Sequence, residues 1–252
     1  MILITQPRAG RLHNELIAMQ TMARSLGWDV IGADSGWRLP EEIVNSHASG
    51  VPYGSQTFCE VIAQQMDWSL EQNKFDWLTL LPREYLKRDV SFYLLRAVRN
   101  LSFNKSMFIK PADYKLFPAK VYEPGEFNPP PTDVAPDDTP VIVSEPVEFI
   151  EEFRCFVDSK SCKTVSCYLY HGEVNEPKNW HVANCEKAAV FAESALSSLK
   201  FLGENTVPSV VDVGIIKDRG FAIIENNQAW ASGLYGCDPS EVLSVLQLTC
   251  RK

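Results

Sequence analysis

The stretch VVDVGIIKDRGFAIIENNQAW, residues 210–230, holds two apolar runs that read as buried strands, yet Asp212 sits inside the first and Glu225 closes the second. A buried, unpaired carboxylate costs several kcal/mol or stays protonated, so both acids need a partner. Lys217-Asp-Arg-Gly220 reads as the turn between the strands. With two or four residues in the loop, residue 212 lies opposite residue 225, with Cβ atoms roughly 4.5–5.5 Å apart. A three-residue loop would break that register. Alternation along the strand puts Asn227 on the face of Glu225 and turns Asn226 away. Like charges directly opposite each other destabilise a sheet unless a cation lies between them. Two carboxylates and an amide are hard oxygen donors, a set that suits Mg²⁺ completed by phosphates and water. The competing reading, two solvated acids on an exposed sheet face, fits the apolar flanks less well.

Composition bounds the rest. The 252 residues are enough for one large domain or two modest ones, and 45% hydrophobic with 22% charged residues is ordinary for a globular protein. A formal net charge of -8 argues against a general nucleic-acid binder. The opening Met-Ile-Leu-Ile-Thr is too short for a signal-peptide core, and no apolar run approaches the ~18–20 residues of a membrane span. Seven cysteines without a CxxC pair suit reduced thiols, and four scattered histidines do not suggest zinc. A cytoplasmic protein with no membrane partner is the expectation.

Read along the chain, residues 1–5 form a strand, Arg11–Leu26 a helix and 28–32 a second strand, a β-α-β opening that predicts a parallel sheet. Residues 55–66 have helical spacing, and 76–81 read as a buried strand closed by Pro82. The first 85 residues thus look like a small α/β unit, separate from 86–252, without a dinucleotide-binding glycine fingerprint. Arg8 and His13 lie near the end of the first strand, where a surface role is favoured over a ligand contact. YLKRDVSFYLLRAVRN, 85–100, reads as a helix. Strands are expected at 106–111, 118–123, 141–144, 151–157 and 162–170, with an irregular Pro- and Asp-rich excursion at 124–140 and a helix at 186–202 stopped by Gly203.

FIKPADYKLFPAKVY (108–122), then Ser144-Glu145, EEFRCFV (151–157), VDVG (211–214), IIENNQAW (223–230) and GLY (233–235) follow one another in an order that resembles the ATP-grasp fold. More narrowly, they resemble its RimK-like and cell-division-cycle-like members. The resemblance covers about 86–252 and implies a two-lobed ATP-grasp fold, α/β and α+β, preceded by a small parallel α/β pre-grasp domain. It implies Mg-ATP, with Mn²⁺ as a substitute ion, bound between the lobes. A carboxylate is phosphorylated there to an acylphosphate, which an amine or other nucleophile then attacks. Lys110 takes the position of the strand lysine on the α- or β-phosphate. Arg154 takes that of the arginine facing the transferring phosphate. Ser144, Glu145 and Val147 fall in the interlobe segment that reads adenine, and Glu148 or Glu151 is placed to hold ribose. Asp212, Glu225 and Asn227 match the metal ligands. The phosphate-covering loop, Ala112–Phe117, lacks the usual glycines, so Lys115 or Lys120 would contact phosphate by side chain. Arg88 is either a further phosphate ligand or a surface residue. Outside the resemblance, Lys110 reads as a surface lysine and Arg154 as a partner of Glu152.

The implied function is an ADP-forming carboxylate–amine ligase acting on small molecules or on a peptide or protein. The alternative is an ATP-binding assembly factor with a protein partner and little ligase chemistry. A polynucleotide ligase needs Lys-x-Asp-Gly, whereas Lys110 is followed by Pro-Ala-Asp-Tyr. The acceptor pocket is expected from Trp230–Tyr235 and the N-terminal unit, although Trp230 and Tyr235 read first as packing residues.

Overall fold

The computed structural model describes residues 1–7, 11–174 and 182–252. The expected site at Arg8 lies outside the described residues, and His13 is exposed. Ile2–Thr5 (β1), wholly buried, pairs in parallel with Asp29–Gly32 (β2) and Gly50–Tyr53 (β3), giving the order β2-β1-β3. Arg11–Ser25 (α1) crosses from β1 to β2, and Glu41–Val44 (α2) precedes β3. Gln56–Met66 (α3) starts at Ser55, whose hydroxyl accepts from Phe58 N–H at 3.4 Å. Ser69–Leu70 (β4) pairs with Cys250–Arg251 (β14) near the C-terminus. The core of this region is completed from the far end of the chain: Trp230, Val242, Leu243 and Leu246 pack with Leu3, Ile4 and Phe58.

Two segments differ from the sequence expectation. Residues 76–81 contain a short helix, Trp77–Leu80 (α4), instead of a strand. Asp76 carbonyl accepts from both Thr79 N–H (2.8 Å) and Thr79 hydroxyl (2.7 Å), closing a helical turn that so short an apolar run does not reveal by periodicity. Residues 85–100 are not one helix. Arg83–Leu86 (α5) ends at Lys87 with φ of 53°, Val90–Leu94 (β5) is a strand, and Leu95–Val98 (α6) follows. Aromatic and β-branched residues suit β5, and an available sheet edge overrides the local helical spacing.

That sheet is antiparallel, in the order β5-β8-β6-β7, with Met107–Pro111 (β6), Lys120–Tyr122 (β7) and Pro140–Ser144 (β8). The excursion between β7 and β8 is anchored by Arg99, which donates to Pro130 and Ala135 carbonyls, both at 2.6 Å, and to Asp137 at 2.8 Å. The second antiparallel sheet contains Phe149–Val157 (β9), Cys162–Tyr170 (β10), Glu173–Val174 (β11), Ser209–Ile216 (β12) and Gly220–Asn227 (β13), in the order β11-β10-β9-β12-β13. Val182–Phe201 (α7) covers one face through Ala188, Ala192, Ala195, Leu196 and Leu199. Gly203, at φ of 82°, follows it in the left-handed region, as its place in the sequence predicts. Pro239–Leu246 (α8) closes the fold over the N-terminal core. No helix among the described residues is long and apolar enough to cross a membrane.

The β12–β13 hairpin has the three-residue loop that should have spoiled the Asp212–Glu225 pairing. Ile216 pairs with Gly220, and Val213 with Ile223. Ile224 then stands unpaired as a β-bulge, after which Asp212 faces Glu225. The insertion cancels the shift set by the turn.

Candidate active site

A cleft of about 1210 Å³ opens between loop 112–119 after β6, the first turn of α3, segment 73–78 and the chain from Glu225 to Tyr235. Lys110, Arg154, Glu225 and Asn227 line it together. Strand register explains their convergence. Asp212 is the lateral neighbour of Arg154 on one side and of Glu225 on the other, so one row crosses β9, β12 and β13. Lys110 reaches that row from the other antiparallel sheet.

Charges in the row are matched. Arg154 grips Asp212 with two hydrogen bonds, Nε to Oδ1 at 3.0 Å and Nη2 to Oδ2 at 2.8 Å, and its Nη1 donates to Gly233 carbonyl at 3.1 Å. Asp212 is 1% exposed. Tyr235 and Tyr168 stack against the guanidinium, with ring centres 4.3 and 5.5 Å from Cζ. Tyr235, expected as a packing residue, thus touches the central arginine, whereas Trp230 is fully buried in the N-terminal core. Burial pushes the Asp212 carboxyl above its usual range against the pull of Arg154. Burial alone would lower Arg154, but the charge and hydrogen bonds of Asp212 hold its proton more firmly than usual.

Lys110 Nζ forms an ion pair with Glu225 Oε2. Burial would raise Glu225, but the Lys110 charge and hydrogen bond, with help from Asn227, bring it down to about 2. Asn227 Nδ2 donates to Glu225 Oε1 at 2.8 Å and to Asp212 Oδ2 at 3.3 Å. Two carboxylates therefore converge on one polar hydrogen-bearing atom, the place a cation would take. A half-turn of the amide would present its oxygen instead. Two carboxylates and an amide fit a hard divalent ion with several water or phosphate ligands. No cluster of three acidic, histidine or cysteine ligands occurs among the described residues.

The remaining expected residues are dispersed. Lys115 lines the cleft, whereas Lys120 pairs with Glu126 at 2.8 Å. Ser144, in β8, lies between β5 and β6, and Glu145 is tied to Arg219 at 2.7 Å and to Asp89, so neither lines this cleft, nor does Val147. Glu151 accepts from Asn184 at 3.0 Å, and Arg154 pairs with Asp212 in place of Glu152. Asn226 accepts from Asn73 at 3.0 Å, on the side away from the carboxylate pair. Arg88 is neither a surface residue nor free for phosphate: it is 5% exposed and spends its donors on main-chain carbonyls.

Loop 112–119 makes contacts that the sequence did not reveal. Gln56 donates to Asp113 at 2.8 Å, and Tyr114 hydroxyl donates to Glu60 at 2.6 Å, tying the loop to α3. These partners lie more than fifty positions apart and share no local pattern.

Residues 85–245 match a family model of the ATP-grasp domain, the second family of its clade. The chain belongs to the ATP-grasp family. The order of the motifs points there as well, and every residue of the row lies within the matched segment. No curated protein matches the chain in sequence. Its fold is similar to D-cycloserine synthetase DcsG, at a TM-score of 0.55 and 14% identity, over 98% of this chain and 99% of that one. It is also similar to N5-carboxyaminoimidazole synthetase from Staphylococcus aureus complexed with ADP, at 0.53 and 9%, over 98% and 77%. D-alanine–D-alanine ligase from Bacillus anthracis complexed with ATP aligns at 0.52 and 14%, over 98% and 95%. At these identities the likeness concerns the fold, an N-terminal parallel α/β layer followed by the two antiparallel sheets of an ATP-grasp protein.

Proposed function

We propose that this ATP-grasp protein is an ADP-forming ligase that activates a carboxylate as an acylphosphate and joins it to an amine. The observation that carries the reading is the row Arg154–Asp212–Glu225 with Lys110 and Asn227 beside a large cleft. When bound, Mg-ATP would supply the phosphoryl group that turns an unreactive carboxylate into an acyl donor. Asp212, Glu225 and the amide oxygen of Asn227 would hold the divalent ion, Mg²⁺ or Mn²⁺. Lys110 and Lys115 would hold phosphate oxygens as compact charges on flexible stems. Arg154 would meet the charge that builds on the transferring group. Its fork is held by Asp212, Gly233 and two tyrosine rings, so little reorganisation is needed. Segment 144–147 would read adenine, which requires Glu145 to part from Arg219.

We assign nucleotide handling to residues 86–252 and an acceptor-side wall to residues 1–85. Ser55–Thr57 and the 232–235 loop both line the cleft and would border the acid and amine. The nucleotides in the titles of the two ligand-bound neighbours, ATP and ADP, are in keeping with this chemistry.

The deciding experiment follows nucleotide products while acids and amines are screened in pairs with Mg-ATP. ADP and inorganic phosphate should accumulate only when a matched pair is present. AMP and pyrophosphate would overturn the acylphosphate reading. Tight Mg-ATP binding without turnover for any pair would favour an assembly factor.

A further inference from the structure

The hairpin that carries Glu225 contains one residue more than its partner strand needs. A turn closed by Ile216 and Gly220, continued regularly, would set Asp212 opposite Ile224. Glu225 and Asn227 would then point to the other face, because a slip of one residue reverses every side chain. The bulge at Ile224 prevents this. Bulges detach main-chain groups from the ladder, and those groups need other partners.

Arg88 supplies them. Its Nη1 donates to Ile223 carbonyl at 2.8 Å and its Nη2 to Ile224 carbonyl at 3.1 Å. Nη1 also reaches Leu86 carbonyl at 3.1 Å, at the end of α5, and Cζ lies 5.4 Å from the centre of the Phe149 ring. Among the described residues the hydrogen bonds of this guanidinium all go to main-chain carbonyls, so a buried cation is committed here without a carboxylate. Such a group is costly to bury, and its rigid, planar set of donors suits two successive carbonyls better than a lysine would.

We infer that Arg88 is a positioning residue that holds the Ile224 bulge and thereby turns Glu225 and Asn227 toward Asp212. Its consequence for nucleotide binding rests on the proposed role of those three side chains; its consequence for register does not.

Three full-length variants test it: Arg88→Gln, deletion of Ile224, and the two combined. Without Ile224 the turn itself places Glu225 opposite Asp212, and Arg88 has no bulge to hold. Cross-strand nuclear Overhauser effects read the register, and electron paramagnetic resonance follows Mn-ATP binding. Arg88→Gln should move the contacts of Asp212 from Glu225 to Ile224 and weaken Mn-ATP by about tenfold or more. In the deletion background the same substitution should change affinity by less than about threefold, since the coupling it breaks is already gone. Persistence of the Asp212–Glu225 contacts in Arg88→Gln overturns the inference. If Arg88→Gln alone does not fold, folding of the combined variant supports the inference. Failure of the combined variant beside a folded deletion overturns it. A wild-type protein that binds no Mn-ATP, with the register shift intact, would refute the proposed function and leave the role of Arg88 standing.

Discussion

The ammonium of Lys110 on β6 meets the carboxylate of Glu225 on β13, and this ion pair joins the two antiparallel sheets across the cleft. Both partners are only partly exposed, at 18% and 31% of their side chains. In the proposed reaction each has another role, Lys110 toward phosphate and Glu225 toward the ion. The pair therefore neutralises two charges that nucleotide and metal would draw apart.

Glu225→Gln removes a donor for the divalent ion and preserves the shape of the side chain. Mg-ATP should raise the melting temperature of the wild-type protein, with a linkage effect of about 2.7 kcal/mol at a hundredfold excess over Kd. The variant should show little or no such rise. Thermal melts with and without Mg-ATP check this, and full retention of the shift would count against Glu225 as a ligand.

The same pair has a signature in acid. Against the upward push of burial, Lys110 holds the folded-state value of Glu225 at about 2, below its ordinary 4.5. A depressed carboxylate contributes stability that is complete above pH 4.5 and disappears as the pH falls through about 2. Asp212 acts with the opposite sign, since burial raises it and its protonation favours the folded state as pH falls. Lys110→Met should therefore make the loss of stability between pH 4.5 and 2 shallower than in the wild type. Urea denaturation across that range measures the slope.

Arg154→Met should be severely destabilising because it leaves Asp212 buried without a counter-charge. Breaking one side of such a pair typically costs about 3–5 kcal/mol. Adding Asp212→Leu should restore much of that stability, since an apolar pair of similar volume needs no hydration. Equilibrium unfolding separates the two variants, and both should lack turnover. A single variant as stable as the wild type would contradict the burial argument.

Gly214, next along β12 from Val213, leaves room for two neighbours. A Cβ there would approach Phe149 Cδ1 to 2.4 Å and Ile224 Cδ1 to 2.9 Å, the second belonging to the bulge residue. Gly214→Ala should cost about 1–3 kcal/mol through overpacking. It should also shift the amide resonances of Ile224 and Glu225. Urea titration and a heteronuclear correlation spectrum test the two effects.

Local sequence suffices for the apolar strands, for the alternation that sets Asn227 beside Glu225, and for the motif order that marks the family. These are properties of short segments, in which side-chain period and main-chain geometry are tied together. It does not suffice at Asp76–Leu81 and Tyr85–Asn100, where an apolar run serves helix or strand equally and the available sheet edge chooses. The pairing of Asp212 with Glu225 follows in sequence from a loop of two or four residues, yet the loop has three. The outcome survives because Ile224 is set aside and Arg88, 135 positions before Ile223, hydrogen-bonds a carbonyl beside the bulge. Nothing local to residues 210–230 encodes that bond. Folding in three dimensions brings a cation from the end of α5 to the hairpin, and with it fixes which face the carboxylates share.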